Sequence, residues 1–598
     1  MKLLPTVMFC LALAAAAGED PSFWKFAPTP PMGWNSWDCF GCTVTEARTK
    51  ANADFMAEKL AAHGWQYIVV DIQWYEPQSK GFDYDPHPQV TMDEWGRLWP
   101  VETKFPSSAQ GRGFKPLADH VHARGLKFGV HLLRGIPRAA VEKNTKVLGT
   151  EVRAADIADR RSTCPWNPDM FGVDMSKPGA QAYYDSVFKL FASWDIDFVK
   201  VDDLSRPYHT AEIEGIRKAI DGCGRPMVFS TSPGETPLAS GAHVALHANM
   251  WRVSDDFWDN WKALKEQFAR LDNWTPHRAP GHWPDADMLP LGNVRAVEPK
   301  GWTRFTHDEQ VTMMTLWSMA KSPLIMGGHL PASDAFTLSL LTNDEVIAVD
   351  QRSTNNRQIS RQDDLVVWAA DAPASPDKYV ALFNARDGGI DPKAAVAATG
   401  VVSAKTPGHS APIQADITGA KKLFLVVDDA GDTFACDHAD WIEPKLTGPA
   451  GPLSLAKQKW ISATSGWGHP AVGRSVGGQG LVVDGKPVAD GIGTHSVSVI
   501  EYDLPAGYTR FEARGGLDQS GVSQGNGATV RFLVFTKDPR GPGATVPVGV
   551  DLTTLGLSGS CRVRDLWSGR DLPAATGRIE LPVAPHAARL LRLAPAAK

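Results

Sequence analysis

Several short apolar runs in the first half of this chain stop at acids. YIVVD ends in Asp71, DFVKVD in Asp202, MWRVS runs into Asp255 and Asp256, and GHWPDADML carries Asp285 and Asp287. Carboxyl groups collected at strand ends can serve as nucleophile, as general acid and base, as acceptors for a polyol's hydroxyls, or as metal ligands. The run DFVKVD narrows the choice. Residues two apart on a strand share a face, so Lys200 and Asp202 point one way and Val199 and Val201 the other. An ammonium close to a carboxylate favours its charged form. The pair is therefore either an ion pair that braces the strand or an anion held ready to attack carbon.

The elements that would position these acids recur between residues 30 and 330. Short β-branched stretches alternate with Gly/Pro-rich loops and helical patterns, as repeated β-α units do. Strands are expected at 30–34, 67–71, 127–131, 197–202, 226–230, 250–254, just before GHWPDADML (281–289), and 322–328. Eight in parallel predict a (β/α)8 TIM barrel over 19–352, whose reacting groups sit at the strands' C-terminal ends. Beyond residue 350 the pattern becomes all-β. A C-terminal β-sandwich is expected in two parts, 353–409 and 538–598, around an inserted β-sandwich module at 410–537. Residues 1–18, Met-Lys followed by a short apolar run ending in small residues, read as a cleavable signal peptide, hence a secreted or periplasmic protein. No later apolar stretch is long enough to span a membrane. The net charge of −6, with 61 basic and 67 acidic residues and no long run of one sign, argues against nucleic acid as a partner. Cys39 and Cys42 have C-x-x-C spacing without a second pair or nearby His to complete a zinc site, so a local disulfide or two packed thiols is expected.

In PPMGWNSW, VVDIQW, DFVKVDD, MWRVSDD and GHWPDADML, taken in that order, residues 28 to 352 resemble glycoside hydrolase family 27, the α-galactosidase or melibiase family. The segments ITGAKKLFLVVDDAGD, SATSGWG and DGIGTHSVSVIEYDLP resemble the NPCBM module, a carbohydrate-binding candidate. The resemblance implies a retaining exo-glycosidase acting by double displacement. Asp202 of K-x-D is then the nucleophile, supported by Lys200. Asp256, four residues beyond Arg252, is the acid/base in preference to Asp255. Asp71 and Asp287 bind the glycone, Trp34 and Trp37 wall the pocket, His131 lines it where relatives have Tyr, and Ser232 lies near the sugar's second carbon. The chemistry is consistent, since retention requires two carboxyl groups about 5 Å apart, one attacking and one donating a proton. It needs no metal and no cofactor. Trp34 and Trp37 as core residues, and His131 as a structural hydrogen bonder, are the plainer alternatives.

Asp71 is followed by Ile72 where the family has a second acid, and by Gln73 where it often has Cys. Gln73 leaves Cys42 without its family disulfide partner. Ile72 supplies bulk but no acceptor, which favours a β-L-arabinopyranoside, a galactopyranoside without the hydroxymethyl arm. The expected partner is therefore a plant-type oligo- or polysaccharide ending in α-D-galactopyranosyl or β-L-arabinopyranosyl units; oligomeric state is left open. Two other readings keep the same acids: a metal-dependent barrel lyase or isomerase liganded by Asp71, Asp202, Asp256 and Asp287, and a non-catalytic carbohydrate-binding surface protein.

Overall fold

The computed structural model describes residues 20–596, apart from 299, 387–389, 432–435, 450, 526 and 540–544. The expected leader, 1–18, lies outside the described residues. Eight parallel strands form one sheet: β1 (Met32–Asn35), β2 (Tyr67–Val70), β3 (Lys127–Leu133), β4 (Phe198–Asp202), β5 (Val228–Thr231), β6 (Met250–Arg252), β7 (Trp283–Asp285) and β8 (Leu324–Met326). Their order is β7-β6-β5-β4-β3-β2-β1-β8. The circle closes where Leu289, just past β7, exchanges backbone hydrogen bonds with Ile325 and Gly327 at 2.8 and 3.0 Å. This is the expected TIM barrel. β7 differs in position, because it lies within GHWPDADML and not ahead of it. Trp283 carries it, filling the space beside β6, so the motif is itself the strand.

The strands are apolar runs because helices cover their outer faces. Val199 and Val201 of β4 are fully buried in the main core, which takes in nearly every barrel helix. Gly33 on β1 meets a spatial demand: a Cβ there would stand 2.5 Å from the Tyr67 carbonyl oxygen of β2, so only glycine lets the strands approach.

Past Arg352 the outer domain is a single antiparallel sheet of eight strands. Lys378–Asn384 pairs with Ala588–Pro595, Val380 facing Leu591, which joins chain segments on either side of the insertion. The sheet curls so that Val546–Asp551 lies against Leu365–Asp371, enclosing Val367, Val380, Val548 and Leu591. Among the described residues the inserted module has two larger antiparallel sheets and a two-stranded ribbon at 482–487, with a core that includes Trp441, Phe511 and Phe532. Its start corrects the sequence reading. Ala397–Ala398 and Val402–Ser403, expected in the outer sandwich, pair instead with Thr529–Phe535 of the module. These strands are two residues each, too short to show periodicity.

Candidate active site

β4 ends at the barrel mouth. There Asp202 is 5 % exposed and accepts a hydrogen bond from His131 Nε2 of the adjacent β3 at 2.7 Å. Lys200, two residues earlier, does not bond Asp202. Its Nζ donates to Asp71 Oδ2 at 2.9 Å, and Asn35 Nδ2 donates to the same oxygen at 2.7 Å. The other Asp71 oxygen accepts the Ile72 N–H. Burial alone would push Asp202 upward, but the charge of Lys200, then that of His131, outweighs it and holds the carboxyl well below the usual range. Lys200, itself disfavoured as a cation by burial, is held above the lysine range by Asp71, Asp202 and Asp287.

Asp256 follows β6 and differs in setting. Its side chain is 52 % exposed and contacts Arg252 Nη2 at 3.3 Å. Arg252 is buried, and its Nη2 also lies 2.8 Å from Asp287 Oδ2. Asp255 lines the same cavity but is taken up in an exposed ion pair with Arg206. Behind these groups, burial followed by the charge of Asp287 raises the Asp285 carboxyl to about 7, and burial likewise raises Asp38 and Asp287. The inner acids are thus biased towards protonation while Asp202 is biased against it.

Asp202 and Asp256 both line a cavity of about 450 Å³, with Asp71, Ile72, Lys200 and Trp37. Other residues expected at its wall stand behind it. Trp34 is fully buried in the core and donates its indole N–H to the Gly328 carbonyl at 2.9 Å, so the core alternative holds for it. His131 reaches Asp202 from behind, because a β3 side chain directed into the barrel interior meets β4 before solvent. Ser232, Arg252 and Asp287 are buried beneath the wall; Asp287 also accepts the Phe257 N–H at 2.7 Å, bracing the loop that carries Asp256. Sequence reasoning missed Tyr84, Trp166 and Arg206, which also line the cavity. Tyr84 stacks on Trp37 with centroids 6.0 Å apart and planes 9° apart, and Trp166 leans on Tyr84 at 5.5 Å. They sit in long loops without periodicity, where an aromatic residue carries no distinguishing mark.

Cys39 and Cys42 are both buried free thiols. Gln73, at the position of the missing partner, instead donates to Asp169 Oδ2 at 2.8 Å beside the Tyr75 hydroxyl. As a metal ligand set the acids fit poorly. Asp71, Asp202 and Asp287 already face Lys200, His131 and Arg252 respectively, and among the described residues the carboxylates and imidazoles close enough to share an ion lie elsewhere.

A parallel barrel with two unequal carboxyl groups at one mouth is the architecture of a barrel glycoside hydrolase. Residues 29–150 and 169–352 match the family described as Alpha galactosidase A, and the chain belongs to that family, glycoside hydrolase family 27. Residues 388–447 and 452–549 match the NPCBM/NEW2 domain, and 526–593 the alpha galactosidase C-terminal beta sandwich domain. Among solved structures, a β-L-arabinopyranosidase of family 27 from Geobacillus stearothermophilus is 37 % identical, with 96 % of this chain and 98 % of that one covered and a TM-score of 0.68. A variant of that protein was solved with arabinose. Alpha-galactosidase 2 of Arabidopsis thaliana is 30 % identical over 366 residues, covering 60 % of this chain and 76 % of its own. The α-galactosidase of Cyamopsis tetragonoloba is 31 % identical over 364 residues, covering 60 % and 72 %. The chain is a glycoside hydrolase with a carbohydrate substrate.

Proposed function

We propose that this chain is an exo-acting retaining glycosidase that removes terminal β-L-arabinopyranosyl units in preference to α-D-galactopyranosyl units. The observation that carries the reading is the inequality of two carboxyl groups on one cavity. Asp202 is buried and held anionic, whereas Asp256 is half open to solvent. In the first step an Asp202 oxygen attacks the anomeric carbon while Asp256 passes its proton to the departing glycosidic oxygen. The glycosidic bond breaks and a glycosyl ester forms on Asp202. In the second step Asp256 takes a proton from water, whose oxygen attacks the same carbon and releases Asp202. Two inversions leave the configuration unchanged.

Ile72 supports the sugar preference. It lines the cavity beside Asp71 and offers a hydroxymethyl arm no acceptor. A buried hydroxyl without a partner costs about 1–3 kcal/mol, roughly ten- to a hundredfold in relative rate. The arabinopyranosidase from Geobacillus stearothermophilus, alike over nearly the whole length of both chains, supports the same choice. The test is kcat/KM on p-nitrophenyl β-L-arabinopyranoside beside p-nitrophenyl α-D-galactopyranoside, with NMR of the first-formed anomer. An arabinoside advantage and retention are expected. A galactoside advantage above about tenfold would remove the preference, and initial inversion would remove the role given to Asp202.

The reading extends to export. Met1 and Lys2 followed by the apolar run to Ala17 have the order of a leader. N-terminal sequencing of the exported protein is expected to start near Glu19, and a start at Met1 would refute it.

A further inference from the structure

A second cavity, of about 630 Å³, opens where the inserted module meets the barrel rim. On the barrel side it begins at Trp258, two residues after Asp256; on the module side its wall is the loop 464–469. Trp467 in that loop is 53 % exposed, an unusual condition for tryptophan. Its ring is nevertheless held in place, stacked on His438 with centroids 5.3 Å apart and edge-on to His495 at 5.9 Å. The loop is tied to the barrel, since Arg304 donates to the Gly468 carbonyl at 2.9 Å while also pairing with Asp259.

An aromatic track leads from this cavity to the first one. Trp258 lies beneath the Arg295 guanidinium and meets Phe82 at 6.3 Å. Phe82 meets Trp37 at 5.7 Å, and Trp37 lines the cavity of Asp202 and Asp256. Polar groups accompany the track. Asn260, Lys262, Arg295 and Ser465 line the second cavity beside Trp258 and Trp467. Aromatic residues beside polar side chains suit a pyranose, whose ring offers C–H groups on its faces and hydroxyls around its edge. The cavity also adjoins the site of a protein whose substrate is a carbohydrate.

We propose that this groove holds the glycan on the leaving-group side of the scissile bond, so that barrel and module together grip one polysaccharide chain. The inference rests on the exo-acting reading above. A pocket for one terminal sugar must open toward the rest of the chain, and the aromatic track marks the way out. Binding energy from remote sugars then contributes to catalysis on polymer but not on an aryl glycoside.

The test compares the wild-type protein with Trp467→Ala and Trp467→Phe. For each, kcat/KM is measured on arabinogalactan and galactomannan beside the matching p-nitrophenyl glycosides. The polymer-to-aryl ratio is expected to fall about five- to tenfold in Trp467→Ala, the worth of one aromatic contact, and to recover largely in Trp467→Phe. An unchanged ratio would overturn the proposal. Electrophoresis of the full chain through gels containing either polysaccharide reads the groove without turnover. Wild type should be retarded in at least one gel and Trp467→Ala released; free migration of wild type, or equal retardation of both, would overturn the groove. Absence of turnover on aryl glycosides would instead overturn the catalytic reading and leave the gel result standing.

Discussion

At Asp202 burial is opposed by the charge of Lys200, then by the charge and the hydrogen bond of His131. Lys200 acts there through its field, because its hydrogen bond goes to Asp71. Lys200→Met removes the larger lowering influence and leaves burial opposed mainly by His131, so the carboxyl's pKa should rise. In the mechanism proposed above the ionised form attacks, so the acid limb of kcat/KM on an aryl glycoside should move to higher pH. A limb that stays in place while overall activity falls would mean that Lys200 only braces Asp71. A depressed carboxyl pKa stabilises the fold above the unfolded value, an advantage lost as pH falls through the acid range.

The turn that follows β4 is locked by one side chain. Arg134, just beyond β3, is buried and donates from Nη2 to Asp203 Oδ2 at 2.7 Å, from Nη1 to Glu212 Oε2 at 2.9 Å, and from Nε to the Asp203 carbonyl at 2.8 Å. Its backbone N–H holds the Asp202 carbonyl at 3.0 Å. Asp203 has φ of 63°, a conformation that needs such support away from glycine. Arg134→Met would leave two carboxyl groups buried without their cation, at a cost of about 3–5 kcal/mol. Urea denaturation measures this directly. A loss below about 1 kcal/mol would show that the turn does not depend on the arginine.

Across the whole molecule, the cores divide it differently from the chain. The main core runs without a break from the barrel into the outer sandwich, taking in Trp368, Phe383, Leu566 and Leu590. Polar contacts cross the same boundary: Trp567 Nε1 donates to Thr315 Oγ1 at 2.8 Å, and His586 stacks on Trp261 at 3.6 Å. The inserted module buries its apolar residues in two clusters of its own. Calorimetry should therefore show barrel and outer sandwich melting together and the module in a transition of its own, because cooperativity follows shared core. A single transition for the whole chain would contradict this division. Among the described residues, no helix is long and apolar enough to cross a membrane.

What the sequence determined alone was the barrel, seven of its eight strand positions and the shared face of Lys200 and Asp202, because the strand period of two and the runs of β-branched residues are local properties. The tertiary structure decided which acid receives the lysine's hydrogen bond, that Trp34 is core while Trp37 is wall, and that Tyr84 and Trp166 close the pocket. Those outcomes turn on side-chain directions across neighbouring strands and on loops brought together from far apart. No spacing along the chain encodes them, so only the closed barrel could reveal them.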